Sequence, residues 1–120
     1  MFLLLKHTNF DVYKLCGQLV IECYRLVNRL PKVESHNLAQ QIRRASVSVR
    51  LNIAEGSSRK SPLERKRFYE IARGSVIEID AAIDICIQLK YFSIEEAHHA
   101  GALIVRCYSM ISKMIHSNDI

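Results

Sequence analysis

Only two prolines interrupt this chain, Pro31 and Pro62, and between and beyond them apolar residues recur at intervals of three and four. Val12, Cys16, Leu19, Cys23, Leu26 and Leu30 follow that spacing, which is the mark of a helix burying one seam. Pro31 ends this first helix, since its ring removes a backbone donor and crowds the preceding turn. A second helix is expected from about Glu34 or Ser35 to Gly56, where GSSRKS supplies a glycine stop and a polar loop. Ser61, Pro62 and Glu64 then give a capping box with proline at the first helical position. The third helix should run unbroken to about Lys90. Ser93 and Glu96 repeat the box before a fourth helix carrying Ala97, Gly101, Ile104, Tyr108, Ile111 and Ile115 at helical spacing.

Helices over about 10–30, 34–56, 62–90 and 94–116, joined by short connections, predict an all-α, antiparallel up-down-up-down four-helix bundle. A chain of 120 residues that is 49% apolar and 24% charged is expected to form a single domain over 1–120 rather than a disordered chain. The opening MFLLLK is too short a run for a signal peptide or a membrane span, and we expect a loosely packed N-terminus.

On a wheel of 100° per residue, Leu38, Ile42, Ala45, Val49 and Ile53 form the core stripe of the second helix. Val47, Leu51 and Ala54 fall on nearly the opposite side, and in the third helix Ile71, Ile85 and Leu89 lie off the edge of the main face. Contiguous extra apolar surface marks association, so Val47, Leu51 and Ala54 are the candidate interface of a homo-oligomer. Gln41, Ser48, Asn52 and Glu55 form a polar ridge between the stripes. Where this ridge is buried, Asn52 and Glu55 need hydrogen-bond partners, for which Arg44 and Ser75 are candidates.

Lysine and arginine total 17 against 12 acids, but the excess is local. Between Arg43 and Arg67 stand eight bases and two acids, while the rest of the chain has nine and ten. Arg43 and Arg50 share one line of the second helix, and with Arg59, Lys60, Arg65, Lys66 and Arg67 they are the candidate nucleic-acid-binding residues, a basic surface suited to phosphate. The competing readings are a solvated face laced with ion pairs, and an adaptor surface for a protein partner.

Cys16, Cys23, Cys86 and Cys107 form no CxxC pair and sit in apolar patterns, as expected for reduced, buried residues of a cytoplasmic protein. Glu95-x-x-His98 and Glu96-x-x-His99 have the spacing used in di-iron bundles, but the motif occurs on one helix only, and adjacent histidines diverge by about 100°. No nucleophile elbow, phosphate-binding glycine loop or HExxH motif is present. The expectation is a protein with no catalytic residue, metal or cofactor and no membrane partner.

The words LPKVE, QIRRASVSV, NIAEGSSR and ARGSVIE occur in this order between Leu30 and Glu78. In them the chain resembles the small bacterial four-helix-bundle proteins encoded in intervening sequences of 23S ribosomal RNA genes, relatives of the accessory variability determinant of diversity-generating retroelements. The resemblance implies two antiparallel hairpins in one bundle, assembled as a ring of five subunits, with RNA or another nucleic acid as a possible ligand. Glu78 stands at a matching position and joins Gln41, Arg44, Asn52, Glu55 and Ser75 in the expected structural polar cluster. Arg50 and Leu51 depart from relatives that carry proline or a small residue near this point, and Val33 replaces an acid.

Overall fold

A computed structural model describes residues 2–118. Met1, at the start of the opening apolar run, and Asp119 and Ile120, in the polar tail, lie outside the described residues. The elements are α1 (Asp11–Val27), α2 (Leu38–Ser57), α3 (Pro62–Gln88) and α4 (His98–Ser117), with short 3-10 turns at Lys6–Asn9 and Lys32–Glu34. Each helix packs against its neighbours in sequence, and α4 closes the ring against α1. Bonded pairs run in opposite senses: Ser57 meets Tyr69 and Ser48 meets Ser75 between α2 and α3, while Arg65 meets Asn118 and Arg73 meets Ser112 between α3 and α4. The four helices form a bundle in which α3 runs antiparallel to α2 and to α4.

The predicted seams make the core. Leu38, Ile42, Ala45, Val49 and Ile53 of α2 are buried, as are Ala72, Val76, Ile79, Ile83 and Cys86 of α3. Ala100, Leu103 and Cys107 complete the buried face of α4, whereas Tyr108 turns outward. Ser46 is fully buried and stays satisfied by donating to the Arg43 carbonyl at 2.9 Å. Gly56 lets α2 and α3 meet closely at the loop, since a Cβ there would stand 2.8 Å from the Tyr69 ring.

Three boundaries differ from expectation for identifiable reasons. Helix α1 stops at Val27, three residues before the last predicted position, because the residue preceding Pro31 is disfavoured in the helix; Arg29 and Leu30 close the end by bonding to Leu26 and Val27. Helix α2 begins at Leu38 rather than near Glu34, because Glu34 turns inward to bond Tyr91 and Asn37. The Ser93–Glu96 box forms in both directions, at 2.9 and 3.1 Å, but it closes a turn, and α4 starts only at His98. Helix α3 ends in a paired 6→1 and 5→2 closure, Tyr91 N–H to Cys86 and Lys90 N–H to Ile87, with Lys90 at φ 64° where glycine is usual.

Candidate nucleic-acid interface

The α2–α3 loop brings Arg59, Lys60, Arg65, Lys66 and Arg67 to one end of the bundle, and the structure distinguishes their roles. Arg65 is half-buried. Its Nη1 donates to the carbonyls of Arg59 and Lys60 at 3.0 and 2.7 Å, and its Nε donates to Asn118 Oδ1 at 3.0 Å. It thus fastens the loop to the end of α4 and satisfies carbonyls that would otherwise face solvent. Arg59 pairs with Glu55 at 3.1 Å and lies 4.9 Å from the Phe68 ring centre. Lys60 and Arg67 are exposed, with no acidic partner for either side chain among the described residues. Lys6 joins this end, lining a shallow pocket with Arg65, Ser57 and Asn118, and Lys113 is exposed in the last turns of α4. The sequence reading missed Lys6, because only the folded bundle brings residue 6 to this end.

Arg43 and Arg50 lie farther along α2 and are turned onto neighbouring backbone. Arg43 Nη2 donates to the Ser35 carbonyl at 3.2 Å. Arg50 crosses to α1, donating from Nε to the Tyr13 carbonyl at 3.2 Å with its guanidinium carbon 3.9 Å from the Tyr13 ring centre. Gly17 makes that crossing possible, since a Cβ there would fall 2.9 Å from the Arg50 guanidinium carbon. An isolated glycine inside a helical pattern was the available signal for this close approach.

The polar residues separate into three groups. Asn52 donates to Ser48, both carbonyl and hydroxyl, and Ser75 donates to the Ser48 hydroxyl at 3.0 Å, so one short network ties α2 to α3. Gln41 belongs to a second group at the opposite end of the bundle, where it donates to Asn37, which in turn donates to buried Glu34. Glu55 serves Arg59, and Arg44 and Glu78 stand in solvent outside both networks. Tyr91 completes the second group with a 2.7 Å bond to Glu34, a bond that raises its phenol above the ordinary 10.0.

Val47 and Ala54 are half-buried and Leu51 is 60% exposed. Val47 and Leu51 line an open groove between α1 and α2 with Tyr24, Arg43 and Arg44. The four thiols are free and buried; burial pushes Cys23 to about 12 and Cys86 to about 11, so these two are protonated at neutral pH. Glu95, Glu96, His98 and His99 are exposed, and Glu96 is held by Ser93 and Arg29, which keep its carboxyl below the ordinary 4.5. Among the described residues, no helix is long and apolar enough to cross a membrane.

A family model described as 23S rRNA-intervening sequence protein matches residues 8–113. The chain belongs to that family. A crystal structure of a protein with unknown function from the S23 ribosomal protein family of Bacteroides thetaiotaomicron VPI-5482 is similar in fold. Its TM-score is 0.79 at 17% identity, covering 87% of this chain and 97% of that one. No curated protein matches.

Proposed function

We propose that this intervening-sequence family member is a non-enzymatic, cytoplasmic homo-oligomer, a ring of five by resemblance, that binds RNA through the basic end formed by the α2–α3 loop. The observation that carries the reading is the division of labour there. Arg65 and Arg59 are committed to holding the loop, while Lys60 and Arg67 face solvent, with Lys6 at the same end. Lys60 and Arg67, held on a rigid frame with no acidic partner among the described residues, suit phosphates, whose contacts position a nucleic acid without reading its sequence. Exposed Leu51, with half-buried Val47 and Ala54 on α2, supports the oligomer, and the four free buried thiols are consistent with a reducing compartment.

Fluorescence anisotropy with a labelled RNA hairpin and a labelled single strand tests the reading. Binding at low salt that Lys60→Glu with Arg67→Glu weakens by about tenfold or more is expected. No binding of either RNA at low salt overturns it.

A further inference from the structure

The bundle carries two separate open grooves, one between α1 and α2 and the other between α3 and α4. Both expose apolar side chains: Tyr24 at 43% and Leu51 at 60% in the first, Ile94 at 67% and Val105 at 69% in the second. Their charges are opposite. The first is flanked by Arg43 and Arg44 and has no acid in its lining. The second is flanked by Asp80 and Asp84, with His98 at one end. Arg44 and Asp80 are exposed, with no ion pair for either among the described residues, and Asp84 accepts a 3.2 Å bond from Gln88.

We infer that copies of this chain associate head to tail, with the α1–α2 groove of one seated on the α3–α4 groove of the next and Arg43 and Arg44 facing Asp80 and Asp84. The inference rests on the homo-oligomeric reading above and assigns its two faces. A two-fold contact of the first groove with itself would gather four guanidinium groups, and of the second with itself four carboxylates; like charges so placed oppose association. Only the mixed contact buries both apolar strips while pairing both charges. Because the two grooves share no lining residue, a dimer leaves one of each uncovered, and the contact propagates until a ring closes or a filament forms. Lys60 and Arg67 stand at the end of the bundle outside both groove linings, so assembly and phosphate binding use different residues.

Sedimentation velocity of the full chain over a concentration series, with far-ultraviolet circular dichroism as the check on folding, tests the assignment. The parent chain is expected to form species larger than a dimer. Arg44→Asp alone and Asp80→Arg alone should each weaken assembly by about tenfold or more, and the two together in one chain should restore it. Val105→Lys, at an exposed position remote from the core, should weaken assembly without charge reversal at either rim. Assembly unchanged in both single charge variants overturns the face assignment while leaving the oligomer standing. A parent that stops at a dimer also overturns head-to-tail docking, and a parent monomeric at every concentration overturns the homo-oligomeric reading with it.

Discussion

The two ends of the bundle handle charge in opposite ways. At the α2–α3 end, Arg65 spends its donors on backbone carbonyls and on Asn118, and Lys60 and Arg67 are left facing water, so the loop is ordered while their charge stays available. At the other end an acid, Glu34, is drawn inside to 9% exposure and shared between Tyr91 and Asn37. The first arrangement keeps a field outside the protein; the second uses a carboxylate as a fastener between the entrance to α2 and the exit from α3. A charged residue in this chain is therefore read by its partners, since the same words of sequence contain both kinds.

If Glu34 is a fastener, Glu34→Ala should cost the most, about 1–3 kcal/mol in urea unfolding, because the Tyr91 hydroxyl and the Asn37 amide lose their acceptor. At the basic end, Gly56→Val should cost about 1–3 kcal/mol through overpacking against Tyr69 and Phe68, with helicity retained. Arg65→Ala should cost less, about 1 kcal/mol, because the freed Arg59 and Lys60 carbonyls can bond water. A larger loss there than at Glu34 would reverse the contrast. Lys90→Gly should stabilise by about 0.5–1 kcal/mol, since glycine meets the positive φ of the α3 closure without a Cβ penalty.

The Tyr91–Glu34 bond also has a pH signature. The folded-state phenol titrates above its unfolded value of 10.0, so the contribution is full below that value and lost as pH rises through the folded one. Tyrosinate absorbance should contain a late-titrating component that Tyr91→Phe removes. A titration curve that Tyr91→Phe leaves without any change at its late end would remove Tyr91 as a fastener.

Much of the frame was legible because helical periodicity is a local property. The core stripe from Leu38 to Ile53 follows from spacing alone, and the outward placement of Leu51 follows from the same wheel. The resemblance also marked Glu34, but its partner Tyr91 lies 57 residues away and gives no local signal. Arg50 looked like a member of an outward basic line, yet it reaches the Tyr13 carbonyl because Gly17 clears the path. Ser93 and Glu96 were recognisable as a box, but a box satisfied within its own turn does not fix where the next helix starts. The acidic groove was not read at all, since Asp80, Asp84, Ile94 and Val105 come together only when α3 and α4 pack.

The most direct test of the outward-facing basic end is the salt dependence of RNA affinity for the parent chain and for Lys60→Glu with Arg67→Glu. The account predicts that log affinity falls linearly with log salt, and that the slope shrinks by about one for each phosphate contact removed. An affinity independent of salt, or a slope the double variant leaves unchanged, would contradict it.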